Sequence, residues 1–465
     1  MTPFGDRAVL FELPSGPRGA LLARLRATAE VRDVVLAETT GLVVFEDACP
    51  TEALTAALAA PFAAEETSPR LHRIPVVYDG ADLVEVAERL GFSTAEVVRL
   101  HAEPEYRVAL VGFAPGFAYL RGIAPELVLP RRAPRPRVPA GSVAFAAGYS
   151  GVYPFASPGG WHLLGHAPGY AAFVDGAAVL ALDDRVRFEA AEGPPAIEAA
   201  PAVTPTVTGP YLELTRVMGV AFLVDGGRQG RMHDGIPPGG PLVRGGLVGA
   251  NRHAGNADLA CGLELYGTFE VTARGGTVTV AAAEPIVLAD GASYRIATGA
   301  ARVTYLAVLG GIDAPVVLGG RGVFRIAGTG GPLRRGARLA IGDASAAPMP
   351  PRDATRQRSH EPVPLLPGPD GDVHAHLREL TISAASDRTG VRLDGYAGPT
   401  LDVPRDRRSI PMTIGAMELT PSGPIVLGPD HPTTGGYPVV GIVPSGSLDA
   451  FFARPVGARV SFRPS

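Results

Sequence analysis

No lysine occurs in the 465 residues; all 42 basic side chains are arginine. Without lysine the chain cannot form a Schiff base, carry biotin on itself or supply the lysine of a phosphate-binding P-loop. Pyridoxal enzymes, P-loop ATPases and biotin carriers are excluded. Cysteine is scarce as well: two in such a length make no disulfide framework, and the expected location is the cytoplasm. No apolar run approaches the roughly 18 residues of a membrane span. Asp6 and Arg7 stand where a signal peptide would need its apolar stretch. Charged residues are only 19%, and the net charge of −4 is too weak, and of the wrong sign, for a nucleic-acid binder. The sequence predicts neither a membrane nor a nucleic-acid partner.

Glycine and proline are abundant, at 59 and 46 residues, while hydrophobic residues still make up 46%. That combination marks turns in a globular, β-rich chain rather than disorder. At about 150 residues per domain the length suggests about three domains. Residues 1–75 alternate strands (Val9 to Phe11, Leu42 to Phe45, Ile74 to Tyr78) with helical patterns at Leu21, Leu22, Leu25 and at Leu54, Ala57, Leu58. This predicts a small α/β cap. Two helices follow, one stopping at Gly91 and the next capped by Ser93 to Glu96. The rest of 76–195 reads as short strands broken by Gly and Pro, which suits a barrel. A linker is expected at 196–210, within the aperiodic stretch 190–210. A second β unit spans 211–345, with a helix candidate near Leu247 to Leu263. A polar connector at 346–364 precedes a last β unit at 365–465. The expected fold is mainly β: an α/β cap followed by three barrel units.

No HExxH, GxSxG, CxxC or Rossmann fingerprint is present. His374 and His376 would share one face of a strand, but metal binding needs a third ligand that the sequence does not show. Cys261, beside Leu259 and Leu263, reads as a core thiol. Three loop clusters are richer. The first is GFAPGFAYL (112–120), continued by the Pro- and Gly-rich 131–166 with the only tryptophan. The others are SDRTGVRLDG (386–395) and PDHPTTGGYPVVG (429–441). Such loops expose backbone N–H groups, hydroxyls and guanidinium groups that can hold carboxylates, phosphates or an oxyanion. Equally, Gly and Pro can simply shape barrel corners.

The first cluster resembles the B-subunit family of 5-oxoprolinase, also called allophanate hydrolase subunit 1 or the kinase-inhibitor type, through Gly112–Leu120, Pro134–Val143, Gly151–Trp161 and the opening GDRA at Gly5–Ala8. The second half resembles the partner family, that of the C subunit, through GGID (Gly310–Asp313), Ser386–Gly395 and Thr433–Pro438. The order, B then C, is similar to the carboxyltransferase region of urea amidolyase. The resemblance implies cyclophilin-like barrels, one in the B-like half and two in the C-like half, with the active cleft where the halves meet. It implies substrate contacts at Phe113, Pro115, Gly116, Phe117, Tyr119, Arg137, Ser142, Tyr153, Ser157, Gly159, Gly160, Trp161, Arg228, Thr433, Thr434 and Tyr437. Amide chemistry would use Arg388 or Arg228 on an oxyanion or substrate carboxylate, and Asp387 as general base or to orient an arginine. His162 could transfer a proton where the family usually carries an amide side chain. ATP would enter only through a separate protein similar to the A subunit of 5-oxoprolinase.

Several polar positions depart from the family pattern. The segment 224–231 (VDGGRQGR) departs from the family's QDLGRPGY, 236–243 (IPPGGPLV) lacks its usual hydroxyl and carboxylate, Pro432 replaces a glutamine, and His162 and His166 are introduced. Turn residues persist while substrate-facing ones change. Three functions compete: an enzyme on an amide C–N bond of a small cyclic amide or urea-like compound, the same scaffold redirected to specialised metabolism without ATP, and a non-catalytic binding or regulatory protein.

Overall fold

Apolar residues recur along Ala8–Glu12, Val31–Leu36 and Thr40–Phe45, which pair antiparallel with Thr2–Pro3 at the edge to form a four-stranded sheet. The computed structural model describes residues 1–47, 50–62, 69–193, 208–343, 362–371, 373–401 and 408–465. One face of the sheet, with Val9, Phe11, Val43 and Phe45, packs on Leu21, Leu25 and Leu54 of the helices Arg18–Arg26 and Thr51–Ala59. The opposite face, with Phe4, Ala8, Leu42 and Val44, shares a core with Met412, Ala416, Leu427, Val439 and Ile442. The cap is therefore buried on both sides.

One strand expected in the cap lies elsewhere. Leu71–Val76 pairs in parallel with Arg185–Ala190 at the edge of a seven-stranded sheet. The cap takes Val31–Leu36 in its place. Against the seven-stranded sheet, Leu83, Val86, Val97 and Leu100 of the helices Leu83–Leu90 and Thr94–Ala102 pack on Phe145 and Leu164. The first of these helices ends at left-handed Gly91, and Ser93 Oγ accepts the Glu96 N–H at 3.1 Å to cap the second.

Two eight-stranded sheets follow, both near-closed and barrel-like, and the chain is mostly β. The first is built on the long antiparallel pair Tyr211–Val224 and Gly262–Arg274. The helix expected near Leu247 to Leu263 runs instead over Arg244–Ala254, ended by left-handed Gly255. Cys261 thus sits at the entry to a strand, still buried among Leu263, Leu306 and Val308. The second sheet runs from Val363–Pro367 to Phe462–Pro464, which pair in parallel. His374–His376 form a tight helical turn rather than a strand. Among the described residues no group of three His, Cys, Asp or Glu could hold a metal ion, and no helix is long and apolar enough to cross a membrane. Residues 196–207 and 346–361 of the two expected connectors lie outside the described residues.

Candidate functional site

The GFAPGF turn joins the strands Tyr106–Val111 and Ala118–Arg121. The Gly112 N–H donates to the Phe117 carbonyl at 3.1 Å, and the Phe117 N–H to Ala114 at 2.9 Å. Phe113 is left-handed at φ 68° and 41% exposed, a strained conformation for an aromatic residue. Gly116, at φ 71°, donates its N–H to the Asp234 carbonyl at 2.7 Å. A Cβ on Gly112 would stand 2.8 Å from Thr434 Oγ1, so only glycine lets the two loops approach this closely. The first and third clusters therefore meet directly.

Beneath the turn, Phe117, Tyr119, Tyr153 and Trp161 pack edge to face at 5.0–5.5 Å between ring centroids. Burial pushes the Tyr119 and Tyr153 hydroxyls up to about 12. These four residues, assigned to substrate contact by resemblance, are the barrel's aromatic core. Pro115 is also buried. Gly159 and Gly160 admit close neighbours: a Cβ there would lie 2.3 Å from Tyr153 Oη and 2.5 Å from the Arg132 carbonyl. Ser142 and Ser157 are buried, the Ser157 hydroxyl without a partner among the described residues, and Arg137 is exposed.

Of the four proposed active residues, three are tied up inside the protein. His162 is wholly buried: its Nε2 lies 3.0 Å from the Pro130 carbonyl, and its ring packs on Phe145 on the sheet face covered by the helices. Strand alternation puts Leu163, not His162, on the side of Phe117 and Trp161. Burial lowers its pKa, and no proton-transfer role at the loops is left for it. Arg228 is also buried. It donates to the carbonyls of Val317, Gly320, Gly322 and Val323 and lies over the Phe324 ring, so it staples a loop rather than awaiting substrate.

Arg388 is spent in the same way. Its Nε and Nη2 grip Asp430 at 2.8 and 3.0 Å, Nη1 meets Glu264 at 2.5 Å, and Nη2 donates to the Gly240 carbonyl at 2.6 Å. Burial opposes the charge, but Asp430 and Glu264 overcome it and hold the guanidinium well above its ordinary pKa. Glu264 also accepts from the hydroxyls of Tyr266 and Tyr305 and from the Leu242 N–H. This hub ties the two C-terminal barrels together. Of the two second-cluster candidates, only Asp387 keeps an exposed side chain. It accepts the Thr389 N–H at 2.8 Å and pairs with Arg325 at 3.2 Å. Next to Arg325, Ile326 packs on the aromatic core and Phe324 meets Phe155, so this loop bridges the halves. In the third cluster Thr433 and Thr434 are buried, and Tyr437 is 43% exposed.

One residue of this region had no signal in the sequence. Arg302 is only 8% exposed, makes no hydrogen bond or ion pair among the described residues, and encloses an unpartnered Nη1. Burial lowers its pKa against the pull of Tyr266, Asp387 and Glu264. Two cavities lie nearby, the smaller at the joint and the larger within the first C-terminal barrel. One, of about 490 Å³, is lined by the GDRA turn together with Gly239, Gly240 and Pro429. The other, of about 710 Å³, is lined by Asp225, Cys261, Gly310 and Arg321. None of the proposed catalytic or substrate-contact residues lines either.

Residues 1–173 match the carboxyltransferase domain, subdomains C and D, and residues 267–464 match subdomains A and B of that domain. Two carboxyltransferase-type halves in one polypeptide define the class. The chain is 51% identical over 105 residues to the B subunit of 5-oxoprolinase from Escherichia coli O157:H7, a match covering 22% of this chain and 48% of that protein. It is 30% identical over 281 residues to the C subunit of 5-oxoprolinase from Escherichia coli K12, covering 54% of this chain and 90% of that one. The crystal structure of TTHA0988 superposes with a TM-score of 0.82 at 33% identity, over 98% of this chain and 99% of that one. The chain belongs to the family of the 5-oxoprolinase B and C subunits, with both parts fused. It spans about half the length of the curated B-type relatives it matches.

Proposed function

We propose that the chain is an enzyme acting on the amide C–N bond of a small cyclic amide or urea-like compound at the seam between its halves, with 5-oxoproline as the first substrate to test. The supporting observation is the docking of the Gly112 turn on Thr434, which joins the aromatic loop of one half to the Gly-rich loop of the other. Ligand sites favour such joints. Backbone N–H groups of the Gly turns can hold a developing oxyanion. Asp387, half-exposed beside Arg325, is the carboxylate left to serve as general base. With no lysine and no P-loop in the chain, ATP would be handled by a separate protein of the 5-oxoprolinase A type.

The test is glutamate release from 5-oxoproline, with ATP and an A-type partner present or withheld. Turnover is expected only with both, and Asp387→Asn should lower kcat by about 10²–10⁴. No turnover of 5-oxoproline or urea under either condition would sink the enzyme reading. A second reading, a non-catalytic binding protein, draws support from the internal ties of His162, Arg228 and Arg388. It expects saturable binding of such amides without turnover.

A further inference from the structure

We propose that Arg302 is a carboxylate-binding residue, its guanidinium reserved for the anionic end of a small-molecule ligand at the joint of the two C-terminal barrels. The inference rests on the function proposed above only for the identity of the ligand's other end.

A buried charge in a folded protein is normally paired. The other arginines of this joint obey that rule: Arg228 meets four carbonyls, and Arg388 meets two carboxylates and a carbonyl. Arg302 is comparably buried and meets nothing among the described residues. Its acidic neighbours are already engaged. Glu264 accepts from Arg388, Tyr266, Tyr305 and the Leu242 N–H. Asp387 accepts from Arg325 and the Thr389 N–H. The protein thus neither exposes this cation nor neutralises it.

A planar guanidinium with free N–H groups matches a carboxylate in a two-pronged grip. Glu264 and Asp387 lie within electrostatic reach of Arg302 and would repel a doubly charged phosphate more than a singly charged carboxylate. A small monoanion is therefore the fitting ligand. In 5-oxoproline the carboxylate sits beside the ring amide, so a grip on it would orient that amide.

The experiment compares the full chain with Arg302→Met and Arg302→Lys, using calorimetric titration and thermal melting. The probes are 5-oxoproline, 2-pyrrolidinone (the same ring without the carboxylate) and glutarate. The wild type should prefer 5-oxoproline to 2-pyrrolidinone by roughly tenfold or more. Arg302→Met should erase that preference and melt no lower than the wild type without ligand, because it removes an unpaired buried charge. Arg302→Lys, with charge but no fork, should fall between. Binding of glutarate but neither lactam, lost in Arg302→Met, would uphold the carboxylate site and refute the cyclic-amide reading. A retained preference in Arg302→Met, a large drop in its ligand-free melting temperature, or no carboxylate binding by the wild type would each overturn the proposal.

Discussion

A guanidinium locked between two carboxylates stabilises only while every partner is present, because its loss strands the others out of water. Arg388 stands in that position between Glu264 and Asp430. Arg388→Gln should therefore cost about 3–5 kcal/mol in urea unfolding. A loss under about 1 kcal/mol, the scale of an exposed pair, would return Arg388 to the ligand. In the sequence, SDRTGVRLDG marks Arg388 as a candidate through its resemblance to the family motif. Its direction was not legible, since Gly240, Glu264 and Asp430 come from three distant segments. Arg302, one arginine ahead of the apolar strand Thr304–Val308, had no local signature at all.

At the scale of elements, what was legible had local chemistry behind it. The Ser93 cap and the Gly91 stop follow from hydrogen-bond needs at helix ends, and both stand where expected. The strand Val31–Leu36 is not legible in the sequence because Arg32 and Asp33 interrupt its apolar run, and Asp33 is used to receive the Met232 N–H at 3.0 Å. The strand expected at Ile74 to Tyr78 joins the seven-stranded sheet as Leu71–Val76, because pairing partners are not written in a strand's own residues. Contact between loops is testable at the same scale. Gly112→Ala drives a methyl group into Thr434 and should cost about 1–3 kcal/mol. Thr434→Ala in the same chain should recover most of that loss, which a double-mutant cycle on melting would measure. Additive costs would mean that the loops do not press on each other.

Across the whole molecule, the cap binds the first residues to the last barrel, so the fusion does not depend on its tether. Phe4, Ala8, Leu42 and Val44 form one core with Met412, Ala416, Leu427, Val439 and Ile442. Cutting the intact chain at a protease site introduced within 196–207 should leave one species in gel filtration. Separation into two pieces would show that the linker's effective concentration, rather than the shared core, holds the halves together.

That shared core also sets a timetable for synthesis. The strand Val439–Ile442, which covers the cap, leaves the ribosome roughly 400 residues after Thr40–Phe45. At about 5–20 residues per second, the apolar outer face of the cap stays uncovered for roughly 20–80 s. During that interval each nascent chain offers a sticky surface to its neighbours, and only the emergence of the segment carrying Met412 to Ile442 ends the exposure.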